Sequence, residues 1–290
     1  MKRGAMLAML VVMMMSLSAQ SLNVASYNIR LHTKADYKHN DGWQERRDVM
    51  CDLVAFAAFD IFGAQEVFHD QLMDMLERLP DYAHIGGARD DGGTTGEYSP
   101  IFYRKDRFDV LESGTFWISE TPEEVSYGWD ADCRRVCSWA YLKDKKTKKK
   151  FWYFNTHLDH KGVVAREEGA KLLIKKINEM CGDKARVILS GDFNTNQNSV
   201  PYGIITSVMA DAYEASPVKF APSGTFNNFN AKRSKKDRID HVFVKGFDVK
   251  RYGILTNIYW SEPNTEASGK NGKIHLPSDH YPVQVWLDFD

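Results

Sequence analysis

Apolar and polar residues alternate from Leu22 to Ile29 (LNVASYNI), a run rich in β-forming types that predicts a strand ending at Asn28. After the polar stretch from Thr33 to Asp41, Val49, Leu53, Phe56 and Ala57 recur at helical spacing between Trp43 and Phe59, which predicts a helix buried along that face. Asp60 to Glu66 is a short apolar run that delivers Gln65 and Glu66 at its end, and Phe68 to Leu79 is helical again. From Pro100 the texture changes to short strands, over 100–104, 108–117, 136–142 and 151–157, separated by turns and charge clusters. Val163 to Met180 carries Ala165, Leu172, Leu173, Ile177 and Met180 on one face with Lys and Glu opposite, a helix closed by Gly182. Arg186 to Ser190 is a buried strand running into Gly191-Asp192-Phe193-Asn194, and strands over 239–244, 249–255 and 281–289 complete the pattern. With no internal repeat, linker-like tract or composition break, residues 21–290 are expected to form one domain. Strands and helices mixed from end to end suggest sheets packed together with helices outside, in the α+β class.

Composition narrows the picture. The 290 residues are 43% hydrophobic and 27% charged, enough for a full core, which excludes a disordered, collagen-like or disulfide-framework chain. Lys plus Arg is 38 against 39 Asp plus Glu, which argues against holding nucleic acid by bulk electrostatics and leaves room only for a local basic patch. Residues 1–20 have the basic start (Lys2, Arg3), short apolar core and small polar end (Ser16 to Gln20) of a secretory signal peptide, so an exported, periplasmic or extracellular protein is expected. No other stretch predicts a transmembrane segment, and no obligate protein partner is evident. Cys51, Cys133, Cys137 and Cys181 read as free thiols or one optional bridge; without a CxxC pair, zinc has little support.

Strand ends are where packed sheets gather distant residues, and here they carry Asn28, Glu66, His157, Asp192, Asn194, Asp240, Asp279 and His280. A set rich in oxygen ligands suits a hard cation, Mg²⁺ or Mn²⁺, with Asn28, Glu66 and Asp279 as candidate ligands.

The ordered series Ser26-Tyr27-Asn28-Ile29-Arg30, Gln65-Glu66, Asn155-Thr156-His157-Leu158-Asp159, Gly191-Asp192-Phe193-Asn194, Asp237-Arg238-Ile239-Asp240-His241 and Ser278-Asp279-His280 resembles the endonuclease/exonuclease/phosphatase superfamily. That superfamily contains DNase I-like nucleases, deadenylases, inositol polyphosphate phosphatases and neutral sphingomyelinases. The resemblance spans essentially all of the chain after residue 20. It implies a four-layer α/β/β/α sandwich, two mixed sheets face to face with helices outside, and a divalent cation at one edge. By the same resemblance Glu66 is the main metal carboxylate, helped by Asn28 and Asp279. Asp192 and Asn194 orient the attacking water and contact the phosphate. His280 acts with Asp240, and either Asp192 or His280 takes the water's proton. His157 donates to the phosphate or leaving oxygen, with Glu97 as its orienting acid. Arg135, with Arg134 as the adjacent alternative, matches a phosphate-facing arginine at a strand start, where a planar fork suits two phosphate oxygens.

The basic run Lys143 to Lys150 reads as a solvated hairpin tip, whereas Lys232 to Arg238 leads straight into Asp240 and is a candidate for phosphate contact. Trp117, Tyr127, Trp129, Trp152 and Trp260 are candidates for stacking or for core. The expectation is an exported, metal-dependent phosphoesterase, hydrolysing a phosphodiester or phosphomonoester by in-line attack of water, with nucleic acid or nucleotide slightly favoured as substrate. A sphingomyelinase-like or inositol-phosphate activity is the alternative within that class. A catalytically silent binding module is the alternative outside it.

Overall fold

The first expected strand, β1 (Ser21–Asn28), opens the described part of the computed structural model, which comprises residues 21–233, 235–262 and 272–289. The expected signal peptide, residues 1–20, lies outside the described residues. β1 is followed by α1 (Trp43–Ala57), β2 (Ile61–Gln65), α2 (His69–Arg78), β3 (Tyr82–Ile85) and β4 (Ile101–Arg104). Then come β5 (Phe108–Trp117), β6 (Val136–Asp144), β7 (Lys150–His157), α3 (Val163–Cys181) and β8 (Val187–Asp192). Short elements α4 (Val200–Thr206), β9 (Ala210–Asp211), α5 (Ala212–Ala215) and β10 (Lys219–Phe220) lead to β11 (Asp240–Lys245) and β12 (Phe247–Ile254). The chain ends with the pair β13 (Tyr259–Trp260) and β14 (Ile274–His275), and with β15 (Val283–Phe289).

Two crossovers set the topology. β1 runs parallel to β2 through α1, and β7 runs parallel to β8 through α3. The first pair is central to a seven-stranded sheet, ordered β10-β12-β15-β1-β2-β4-β3, and the second to a six-stranded sheet, β5-β6-β7-β8-β11-β9. Three apolar clusters separate four layers. One, around Leu22, Val24, Ile61, Tyr153, Ile188, Val242 and Val285, lies between the sheets. A second packs α1 and α2 on the outer face of the larger sheet, and a third packs α3 on that of the smaller. The fold is therefore the expected α/β/β/α sandwich.

The face of α1 differs from the expected one. Trp43, Arg46, Met50, Leu53 and Val54 are buried, while Phe56 is 88% exposed. The stripe runs from Trp43 at the helix start, and on that register Phe56 falls outside it. The four cysteines form no disulfide, and no helix among the described residues is long and apolar enough to cross a membrane.

Along the inner faces of the sheets, period-two positions change character toward one edge. β1 presents Leu22, Val24, Ser26, Asn28; β7 presents Phe151, Tyr153, Asn155, His157; β8 presents Ile188, Ser190, Asp192; β11, antiparallel to β8, presents Val244, Val242, Asp240. Between the apolar core and the final polar tier, the Asn155 amide bridges the sheets. Its Oδ1 accepts from Gln65 Nε2 (2.7 Å) and Ser190 Oγ (3.0 Å), and its Nδ2 donates to the carbonyls of Ala64 (2.7 Å) and Pro100 (3.0 Å). Tyr153 adds a second tie, donating to Ala25 O (2.9 Å) and accepting from Gly63 N (3.0 Å).

Gly63 is fixed by this close approach, because a Cβ there would sit 2.1 Å from Asn155 Oδ1 and 2.4 Å from Ser190 Oγ. Gly63→Ala is expected to cost about 3 kcal/mol, since it must displace a fully hydrogen-bonded amide. The check is a fall of roughly 5–10 °C in Tm; an unchanged Tm would contradict the tie.

His241, on the outer face of β11, is buried among Phe193, Tyr202 and Phe243, and burial pushes its pKa down to about 4. The unfolded chain, with a His pKa of about 6.5, binds the proton first, so stability is complete above that value and falls as pH drops toward 4. The loss should be of the order of 1–3 kcal/mol, and His241→Phe should flatten the Tm profile across that window.

Candidate active site

The crossovers bring the carboxyl ends of four parallel strands to one edge, where open sheets of this kind bind ligands. A cleft of about 360 Å³ lies there, with Glu66, Asp192, His157 and His280 in its wall and Arg30, Arg135, Glu97, Asn194 and Asp279 around them.

Asn28, at the end of β1, is fully buried and its amide orientation is chemically determined. Oδ1 accepts from Arg30 N (3.0 Å), so Nδ2 is the atom that faces Glu66 Oε1 and Asp192 Oδ2, 3.0 Å from each. Asn28 thus bridges the two carboxylates through Nδ2, while Oδ1, the atom the expected ligand role would use, accepts from Arg30 N. Glu66 follows β2 with φ +62°, a left-handed turn that swings its side chain out of the strand's alternation and toward the cleft. Its Oε2 accepts from Leu31 N (3.1 Å). Burial opposes its ionisation, but the His280 charge, the Asn28 amide, Leu31 N–H and Arg30 outweigh that and hold the carboxyl below the usual range. The Arg30 guanidinium lies 4.0 Å from Glu66 and 3.7 Å from Asp279.

Asp192 ends β8, paired across the sheet with His157 on one side and Asp240 on the other. Oδ1 accepts from Asn194 N (2.8 Å), while Oδ2 lies 3.6 Å from His157 Nε2 and 3.7 Å from His280 Nε2. Burial, then the neighbouring Asp240 charge, raises its pKa. His280 bonds Asp240 Oδ2 through Nδ1 at 2.9 Å. Burial would lower the imidazole pKa, but Asp240, Asp192 and Asp279 overcome it and raise it well above 6.5. Asp279 is pushed upward by burial, with His280 and Arg30 opposing.

Asn194 donates from Nδ2 to Leu158 O (3.0 Å) and to His157 Nε2 (2.9 Å). Because a carbonyl only accepts, the amide orientation is fixed, and His157 must be neutral with its proton on Nδ1. That Nδ1 lies 3.9 Å from Glu97 Oε2, and burial, then the Arg135 and Arg89 charges, hold the ring pKa well below 6.5. Glu97 itself is paired with Arg89 at 2.8 Å.

The two arginine alternatives separate. Arg135 is buried in the cleft wall, anchored to Asp159 (3.5 Å), Glu97 (3.8 Å) and His160 Nδ1 (3.2 Å). Arg134 is not in the wall; it turns to Asp90 (3.4 Å) and lies over the Tyr127 ring at 4.4 Å. The two side chains point apart where the strand begins at Val136.

Of the basic runs, Lys143 to Lys150 turns at the opposite end of β7 from His157. Within Lys232 to Arg238, Arg238 is buried against Asp211 (2.8 Å), and Arg233 stacks on Phe226. None of Trp117, Tyr127, Trp129, Trp152 and Trp260 lines the cleft. Sequence reasoning missed Arg30, Arg89 and the loop at Phe226 and Asn228, which carry no periodic signal. Arg30 did stand inside a quoted motif, and its arginine after a strand-ending Asn was the available cue.

Glu66 is held ionised, and both of its oxygens retain a lone pair beyond their single hydrogen bonds; Asp279 faces it across Arg30. Ligand atoms of Glu66, His157 and Asp192 also lie within 4.8 Å of one another. This acidic, oxygen-rich cluster fits a hard divalent cation.

Fold and site together define a phosphoester hydrolase. The model of the endonuclease/exonuclease/phosphatase family matches residues 25–280, and the chain belongs to that family. A family protein of known structure from Bacteroides thetaiotaomicron is 47% identical over 93% of this chain and 98% of its own, with a TM-score of 0.90. A mannosyl-6-phosphatase from the same organism is also 47% identical, over 92% of this chain and 100% of its own, with a TM-score of 0.89. An uncharacterised protein of Acanthamoeba polyphaga mimivirus is 27% identical over 84% of this chain and 91% of its own.

The tautomer of His157 is open to direct measurement. A long-range ¹H–¹⁵N spectrum near neutral pH should show a neutral ring protonated at Nδ1, and Asn194→Ala should remove that preference. An Nε2–H signal in the parent protein would contradict the arrangement.

Proposed function

We propose that this protein is a divalent-metal-dependent phosphomonoesterase acting on a sugar phosphate. The observation that carries this is the size and charge of the cleft. Its guanidinium groups, Arg30 and Arg135, are both held in ion pairs, and no lysine lies among its described lining residues. Such a cleft concentrates positive charge on about one phosphate, whereas a nucleic-acid groove needs a basic track along the backbone. This departs from the nucleic-acid preference drawn from the sequence. The 47% identical mannosyl-6-phosphatase supports a sugar as the leaving group.

In this reading Glu66 and Asp279 would hold the cation, which would supply positive charge against the phosphate. Asn194, whose Nδ2 is already spent, offers Oδ1 to the attacking water, and Asp192 takes that water's proton. His280, flanked by Asp240 and Asp192 at its two nitrogens, stays protonated and stabilises the phosphoryl oxygens, as do the outer N–H groups of Arg135. The water oxygen bonds to phosphorus, the bond from phosphorus to the sugar oxygen breaks, and that oxygen takes a proton from solvent. The products are inorganic phosphate and the free alcohol.

The test is hydrolysis by the purified protein, with Mg²⁺ or Mn²⁺, of hexose 6-phosphates, nucleotides, p-nitrophenyl phosphate, its bis ester, DNA and RNA. Sugar monoesters are expected to be the best substrates, with activity abolished by EDTA. Asp192→Asn should lower kcat by about a thousandfold. Arg135→Ala should lower kcat/KM by about a hundredfold, with Arg134→Ala within about threefold of the parent. Faster hydrolysis of the bis ester or of nucleic acid would overturn the reading.

A further inference from the structure

We propose that the hydroxyl-bearing part of the substrate sits in a second cavity, on the far side of Arg30, and that Asp41 and Lys273 select it. The proposal rests on the sugar-phosphate reading above and adds where the sugar is held.

This second cavity, of about 430 Å³, shares Arg30, Asn228 and Asp279 with the catalytic cleft, so the two adjoin at those three residues. Its other walls are Asp36, His39, Asp41, Phe229 and Lys273. In-line displacement fixes which way the leaving oxygen departs, because water and leaving group must lie on opposite sides of phosphorus. The residues that orient the water, Asp192 and Asn194, line the cleft and do not reach the second cavity, so departure is toward Arg30 and Asp279. At the opposite end Arg135 is anchored to Asp159, Glu97 and His160 through one contact at each of its three nitrogens.

The lining suits a polyol, whose hydroxyls each need a donor and an acceptor. Asp41, 9% exposed, is held rigid: Oδ1 meets His275 Nδ1 at 3.1 Å, and its carbonyl accepts from Arg46 Nε at 3.0 Å. Lys273 supplies an ammonium at the mouth, 3.4 Å from His39 O. Asn228, at φ +56°, is pinned by its N–H to Asp279 O (3.0 Å), which leaves its side-chain amide at the junction of the two cavities. Phe229, backed by the Arg46 guanidinium at 5.7 Å, offers a ring for the C–H face of a sugar. Asp36 is spent on Arg30, at 2.9 and 3.1 Å, and sets the partition between the cavities.

The experiment compares kcat/KM for hexose 6-phosphates with that for p-nitrophenyl phosphate, which brings the same phosphoryl group without hydroxyls. In Lys273→Ala and in Asp41→Asn, the ratio of hexose 6-phosphate to p-nitrophenyl phosphate should fall about tenfold, mainly through KM. Lys273 is exposed, so its variant folds irrespective of the outcome for Asp41, whose fold is checked by Tm. His160→Ala, at the opposite rim, should keep the ratio. A ratio that is unmoved by both cavity variants, or that falls only in His160→Ala, would overturn the subsite and leave the sugar-phosphate reading standing. A parent enzyme that cleaves p-nitrophenyl phosphate and no sugar phosphate would overturn both.

Discussion

The Asn155 amide, saturated by four hydrogen bonds between the two sheets, is the constraint on which the site depends. Hydrophobic burial holds the sheets together but has no preferred direction, and a sandwich cored only by Leu, Val and Phe would tolerate small slides. A buried amide does not, because each broken bond strands a polar group at about 1–3 kcal/mol. Three partners of Asn155, namely Ala64, Gln65 and Ser190, lie one inner-face step or less from Glu66 or Asp192, and Asn155 itself is one such step from His157. Whatever fixes the amide therefore fixes the carboxylates and the imidazole, to within the stiffness of two residues of strand.

That rigidity matters because the site gathers charge that would otherwise spread apart. Glu66, Asp192, Asp240 and Asp279 converge, the last three all at least 95% buried, and the chain meets them with His280 and Arg30. Burial and mutual repulsion raise the pKa values of Asp192 and Asp279, and the same carboxylates raise that of His280, which keeps its imidazole charged. Arg46 makes a comparable investment. Its guanidinium is fully buried between Trp43 and Phe229 and donates to the carbonyls of Ile29, Arg30, Asp41 and Pro277, which ties the loop after β1 to the segment before Asp279. Such arrangements cost stability and persist where function needs them.

The sequence made the strand-borne part of this readable. Period-two runs such as LNVASYN and FWYFNTH show both faces buried, and their last inner positions are the residues the cleft assembles. Periodicity is weaker where a helix begins with an aromatic residue: Val49, Leu53, Phe56 and Ala57 suggest a register for α1 that buries Phe56, whereas Trp43 sets the stripe. It was silent on Arg134 against Arg135, because adjacent residues just outside a strand have no fixed alternation. Nor could it orient the Asn28 amide, which depends on contacts with residues 38 and 164 positions away. The loop at 225–228 and the left-handed turns at Arg30 and Glu66 follow from tertiary partners and not from local propensity.

This division has a chemical counterpart. Groups that the proposed reaction would use on phosphorus stand at or beside strand ends, held by the inter-sheet amide and by paired backbones. Groups that the proposed subsite would use for the rest of the substrate, Asp41, Asn228 and Phe229, stand on connections, and Lys273 beside a two-residue strand. Strand ends cannot move without breaking the seam, whereas these connections are tied mainly through Arg30, Arg46 and Asp279. Reaction class is thus written in the periodic part of the chain and substrate class in the aperiodic part. A reading based on periodicity reaches phosphoester hydrolysis and stops short of the leaving group for that reason.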